Sequence, residues 1–334
     1  MPRGPRLDAP GVLHHVMARG LDRQAIFRDD RDRDDFVRRL ADIGQAGALV
    51  IYAWALLPNH FHLLLRTGNR PLPRAMRSLL TGYAGAFNRR HRRSGHLFQN
   101  RYKSVVIEEE PYFLELVRYI HLNPLRAGVI TDLKRLDRYP HTGHAALLGT
   151  HPQPWQDTGS VLSRFGIRLG RARGHYRAFV AAGVKLGRRA ELMGGGLIRS
   201  AGGWVAVAEL RRGREGYSSD ERILGGSEYV EGLLREVERR EAQHVRGRRK
   251  APDLSLLIQK VSREGGITPE AIVGAGRRPE VCRARDGLAY LWVDLLGRSG
   301  RQLARELRIR PESVYRGARR GREEQARWRA AVGL

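Results

Sequence analysis

The chain has 334 residues, 41% of them apolar, and carries 61 Lys and Arg against 35 Asp and Glu for a net charge of +26. The apolar share suffices for a buried core and excludes wholesale disorder, the length suggests two or three domains, and a positive field of this size attracts polyanions, nucleic acid foremost. The single cysteine, Cys282, excludes an internal disulfide; MPRGPRLDAPG at the start has no signal-peptide core, and the longest apolar stretch, Ala48 to Leu57, is too short to span a bilayer. A cytoplasmic protein with no membrane partner is expected.

In chain order, Val12 to Ala18 reads as a strand and Asp30 to Gln45 as a helix with Phe36, Val37, Leu40 and Ile43 on one face. Ala48 to Leu57 and Phe61 to Arg66 are dense in apolar residues and separated by Pro58-Asn59, which predicts two adjacent antiparallel strands. Leu72 to Arg90 is helical, Lys103 to Glu108 a strand, and Pro111 to Leu122 a helix opened by proline. The order βαββαβα predicts an α+β domain over residues 1–150, a ferredoxin-like antiparallel sheet with helices on one face. Residues 151–250 read as a mostly helical connecting region, with helices at Tyr176 to Leu186 and Tyr229 to His244 and a basic linker at Val245 to Asp253. Residues 251–334 read as an all-α module. It ends in two short helices, Arg301 to Leu307 and Pro311 to Arg320, with Leu303, Ala304, Leu307, Ile309 and Val314 inward, the pattern of a helix-turn-helix.

The sharpest local feature is Pro58-Asn59-His60-Phe61-His62. Alternate side chains on a strand share a face, so His60 and His62 project together and can chelate one divalent ion. The tripeptide taken alone is weak evidence and more often marks two packed histidines. Further along, Tyr119 and Asn123 stand four apart on a helix and share a face, while His121 points away. A tyrosine can be a covalent nucleophile and an asparagine an oxygen ligand, although a packing tyrosine and a helix end before Pro124 would leave the same trace. Tyr112 is the rival nucleophile, two turns earlier, but its partner at the same spacing is Leu116, which cannot ligate. No acid occurs between Ile43 and Ile107, a span holding Arg66, Arg70, Arg74, Arg77, Arg89, Arg90, Arg92, Arg93, Arg101 and Lys103. A phosphate backbone accounts for such a block better than a solvated face does.

Three runs taken together, PNHFHLLL (58–65), LLTGYAGAFNRRHRRSGHLFQNRYKS (79–104) and EEEPYFLELVRYIHLNPLRAG (108–128), resemble the single-tyrosine HUH transposases, specifically the REP-associated tyrosine transposase branch. The likeness covers roughly residues 10 to 150. It implies cleavage and joining of single-stranded DNA at hairpin-forming sites, with His60, His62 and Asn123 binding Mg²⁺ or Mn²⁺ and Tyr119 forming a 5′-phosphotyrosine. Arg89, Arg90, Arg92, Arg93, Arg101 and Lys103 are then the expected contacts to the DNA strand. Related transposases act as dimers or as monomers, so a homodimer is one of two assemblies left open. The alternative function is a non-catalytic DNA-binding regulator that works through its C-terminal helices.

The C-terminal module, from Gly276-Arg277-Arg278 through Val281 to Leu291 and into the helix pair, resembles the duplex-binding domain of the replication initiator DnaA. That likeness implies phosphate contacts from Arg277 and Arg278 and a DNA-facing surface of Ser313, Tyr315, Arg316, Arg319 and Arg320. The second helix, PESVYRGARRG, lacks the initiator's Asp-His-Thr run, so its target sequence does not transfer.

Overall fold

The computed structural model describes residues 7, 11–187, 192, 220–250 (backbone only beyond 239), 253–274, 276 and 278–333. Within them the chain forms two compact units, Met1–Val237 and Glu238–Leu334.

The first unit is built on strands β1 (Leu13–Arg19), β2 (Leu49–Leu57), β3 (His60–Thr67) and β4 (Lys103–Ile107). Pro58 and Asn59 alone connect β2 to β3, so Leu57 lies opposite His60, and β1 pairs antiparallel with both β3 and β4. A short fifth strand, β5 (Ile223–Leu224), adds to β4 in parallel, giving the order β2-β3-β1-β4-β5. The first four strands thus have the expected split βαβ arrangement. The fifth makes the sheet mixed rather than antiparallel. It comes from a point over a hundred residues further on, and a two-residue strand leaves no periodicity to read.

Helices α1 (Asp30–Gln45) and α2 (Leu72–Arg90) cover one face of the sheet. Asp29 caps α1, its carboxylate accepting the Asp32 amide at 2.9 Å, and Asp30 and Asp32 sit where the helix dipole favours acids. Phe36, Leu40, Met76, Leu79, Tyr83 and Phe87 pack from these helices onto Val16, Trp54, Phe61, Leu63 and Leu65. The expectation of helices on one face is corrected by α3 (Glu109–Arg126), which covers the opposite face through Phe113, Leu116, Val117, Tyr119 and Ile120. Double coverage explains why β2 and β3 read as nearly unbroken apolar runs: both sides of each strand exclude water. Each fully buried Leu or Phe there contributes about 1.5–3 kcal/mol.

Helix α3 runs past its expected end. Pro124 lies inside it and forfeits only the N–H bond to the carbonyl four residues back, so Asn123 is a helical residue and not a terminus. The region read as a connection contributes to the α3 core. After α4 (Leu133–Leu136) and α5 (Gly143–Leu148) come α6 (Thr158–Leu162) and α7 (Leu169–Ala182), whose Val161, Leu162, Ala172, Tyr176 and Val180 are buried there with Leu147. Helix α8 (Ser227–Lys250) continues through Val245 to Lys250, so most of the expected basic linker is helical.

The second unit is helical: α9 (Leu254–Gly265), α10 (Pro269–Val273), α11 (Pro279–Ala289) with a π-helical turn over Tyr290–Leu295, α12 (Gly300–Glu306), α13 (Pro311–Gly321) and α14 (Gln325–Val332). Its core gathers Leu257, Leu288, Leu291, Trp292, Leu303, Val314 and Trp328. The residues expected to face inward in the last helix pair do so, with Ile309 partly buried.

Candidate active site

Antiparallel pairing of β1 with β3 and the crossing of α3 over that face bring together residues far apart in sequence. On β3, His60 and His62 lie with ring centroids 5.1 Å apart, His60 half-buried and His62 1% exposed. Tyr119 of α3 sets its ring edge-on to His62, centroids 6.0 Å apart. It is itself 4% exposed, so the more open side of the cluster is the one His60 holds. Asn123 follows one turn later on α3, also buried, and its Nδ2 has no hydrogen-bond partner. His121 points away as expected: its Nδ1 lies 2.8 Å from the Tyr176 hydroxyl of α7. Tyr112 is half-buried in the first turns of α3 and packs on the same core, while the ring set edge-on to His62 is that of Tyr119.

Two residues of the cluster were not foreseen. His15 of β1 stacks on His62 with centroids 5.2 Å apart and lies 6.2 Å from the Tyr119 ring. Its signal was present: a histidine in the first strand shares a face with every second residue of an antiparallel neighbour, but that requires knowing which strand the neighbour is. Arg126, two turns beyond Tyr119, places its guanidinium 5.5 Å from the Tyr119 ring centre and donates to the Gly183 carbonyl at 3.2 Å.

Burial sets the protonation of the cluster. Loss of hydration lowers the His15 pKa to about 4. It pushes His62 well below the usual histidine range, with His15, His60 and Arg19 adding to the effect. Both rings are therefore neutral near pH 7, the form that ligates a metal.

The acid-free block is less one-sided in space than in sequence. Arg66 pairs with Glu109 of α3, and Arg90 with Asp32 and, at 3.6 Å, Asp35 of α1. Arg90 is thus held by two buried carboxylates while remaining exposed itself. Arg89, Arg92, Arg101 and Lys103 are exposed, and Arg93 is half-buried against Asn88. The same Asp32 gathers His91, and among the described residues Asp29, Asp32 and His91 offer three ligand-type atoms within 4.8 Å. Asp32 there already accepts from the Arg28 amide, His91 and Arg90, and the group lies by α1 and α2, across the sheet from Tyr119.

In the second unit Arg316 and Arg319 are exposed on α13, with Ser313 half-buried and Tyr315 51% exposed over Gly300. Arg320 is bidentate on Asp286 at 2.6 and 2.7 Å, so it ties α13 to α11. Arg278 is exposed at the start of α11; Arg277 lies outside the described residues.

Residues 10–123 match the model of the family described as "Transposase IS200 like". That match spans the four main strands, α1, α2 and α3 as far as Asn123, roughly a third of the chain. Among curated proteins none matches. A solved structure described as "Structure of the REP associates tyrosine transposase bound to a REP hairpin" overlaps 47% of this chain and 90% of its own, with a TM-score of 0.38 at 16% identity. No helix among the described residues is long and apolar enough to cross a membrane.

Proposed function

We propose that the chain is a divalent-metal-dependent DNA strand-transferase of the single-tyrosine transposase type, which cuts and rejoins single-stranded DNA at hairpin sites through Tyr119. The observation that carries this reading is the meeting of Tyr119 with the His60–His62 pair, although Tyr119 stands 57 positions after His62, inside the segment that matches the family.

The side chains fit a metal. His60 Nδ1 donates to Asn59 Oδ1 at 2.6 Å, so in the neutral ring the lone pair lies on Nε2. Asn123 stands one helical turn from Tyr119, buried on α3, and its side-chain oxygen is the atom of the amide that can ligate. His60, His62 and Asn123 would hold Mg²⁺ or Mn²⁺, which when bound supplies Lewis-acid polarisation of the scissile phosphate. Tyr119 attacks phosphorus in line: its phenol gives its proton to water, the phenolic oxygen forms the new P–O bond, the bond to O3′ breaks, and O3′ takes up a proton from water. Arg126, held over the Tyr119 ring, adds positive charge where the transition state gathers negative charge. The phosphotyrosine conserves the bond energy, so rejoining by a 3′-hydroxyl requires no nucleotide cofactor. Arg89, Arg92, Arg93, Arg101 and Lys103 would guide the strand, and Arg316, Arg319, Tyr315 and Ser313 of α13 would face duplex DNA.

The test is covalent capture. Purified chain incubated with Mn²⁺ and a set of single-stranded hairpin oligonucleotides should give a band stable to denaturation, lost in Tyr119→Phe and retained in Tyr112→Phe. An adduct that survives Tyr119→Phe refutes the assignment of the nucleophile.

A further inference from the structure

His15 faces Leu64 in the β1–β3 register, which puts its side chain on the His62 face of the sheet. Its Nε2 lies 3.0 Å from His62 Nδ1, and its Nδ1 lies 3.2 Å from the carbonyl oxygen of Leu192. A carbonyl oxygen only accepts, so His15 Nδ1 bears the hydrogen of that contact. Both rings are buried, His15 at 0% and His62 at 1% exposure, where a charged imidazolium is disfavoured, and a neutral imidazole has one N–H. His15 Nε2 is therefore an acceptor, and the hydrogen between the two rings belongs to His62 Nδ1. The remaining nitrogen, His62 Nε2, then carries its lone pair.

We infer that His15, anchored on the Leu192 carbonyl, is the positioning residue that locks His62 into the Nδ1–H tautomer and fixes its ring, presenting Nε2 to the metal. The inference rests on the reading of His60 and His62 as ligands. Its physical logic is general: a ligating histidine whose second nitrogen donates to a fixed acceptor is oriented before the ion arrives and is a stronger base. The acceptor here is another histidine, itself held by a backbone carbonyl, so the support extends from β3 through β1 to a residue 177 positions further along. His14, the adjacent residue, cannot substitute, because it faces the other side of β1 and bonds Ser104 at 3.0 Å.

Two measurements on the full chain test this. Calorimetric titration with Mn²⁺ alone compares the unsubstituted chain with His15→Leu, His15→Gln and His62→Ala. His15→Leu should weaken binding by about 10- to 100-fold, while His15→Gln, whose amide can accept from His62 and donate to Leu192, should stay within about threefold of the parent. His62→Ala should abolish binding. Equal Mn²⁺ affinity in parent and His15→Leu overturns the role of His15 and leaves the strand-transferase reading intact; no Mn²⁺ binding by the parent overturns the ligand assignment, and this inference with it. The second measurement requires no substitution at position 15: ¹⁵N-histidine spectra of the metal-free chain, assigned with His62→Ala, should show His62 protonated at Nδ1. A His62 protonated at Nε2 refutes the inference whatever the titration shows.

Discussion

Tyr176→Phe removes one oxygen and with it the hydrogen bond that links α7 to the helix carrying Tyr119 and Asn123. The hydroxyl sits between two buried imidazoles, 2.8 Å from His121 Nδ1 and 2.7 Å from His144 Nδ1. His144 Nε2 lies 3.0 Å from the Asp137 carboxylate, which fixes the direction of the chain. His144 donates to Asp137 and accepts from Tyr176, and Tyr176 accepts from His121. Burial holds both histidines neutral and raises the Tyr176 pKa well above its usual value, so nothing ionises to relieve the loss. Phenylalanine fills the space but leaves one buried donor and one buried acceptor unmet, at about 1–3 kcal/mol each, or about 2–4 kcal/mol together after partial relaxation. Hydrogen exchange read by mass spectrometry on the full chain should show amides of α3 and α7 opening roughly 30- to 1000-fold more often, with the second unit unchanged. A change below about threefold in both helices would show that the hydroxyl is not holding α3, and the reasoning would fail.

Acid should destabilise the first unit at a pH well above the carboxylate range. Burial lowers the pKa of both His14 and His15 to about 4, while the unfolded chain binds protons on them from about 6.5 downward. Between these values the unfolded state holds more protons, so stability is complete above about 6.5 and falls by up to about 1.4 kcal/mol per pH unit per histidine on acidification. Urea midpoints that stay level from pH 7 to pH 5 would contradict this. In the second unit two neighbouring arginines should separate by role. Arg316→Ala, exposed on α13, should weaken duplex binding across sequences and reduce the salt slope by about one. Arg320→Ala, which breaks the bidentate pair with Asp286, should lower the unfolding temperature of that unit. Anisotropy titrations at several salt concentrations, alongside thermal scans, distinguish them, and identical behaviour of the two variants would refute the division.

Local pattern sufficed for every main element of the first 126 residues. Strand and helix periods, the Pro58-Asn59 turn and the Asp29 cap are short-range features, and each acts within a few residues of itself. The same locality made His60, His62, Tyr119 and Asn123 legible as candidates, since a two-residue strand spacing and a four-residue helix spacing dictate which side chains share a face. What lay beyond the sequence was what each face meets. Only the pairing of β1 with β3 placed His15 behind His62. Only the packing of α3 on the face opposite α1 and α2 brought Tyr119 to the histidines. Arg90 shows the same limit in the charge pattern: it stands in a stretch without acids, yet folding sets it on Asp32, 58 positions away. Long-range partners are chosen by the combined packing of elements that carry no local mark of one another, and the chemistry proposed for this site depends on those partners.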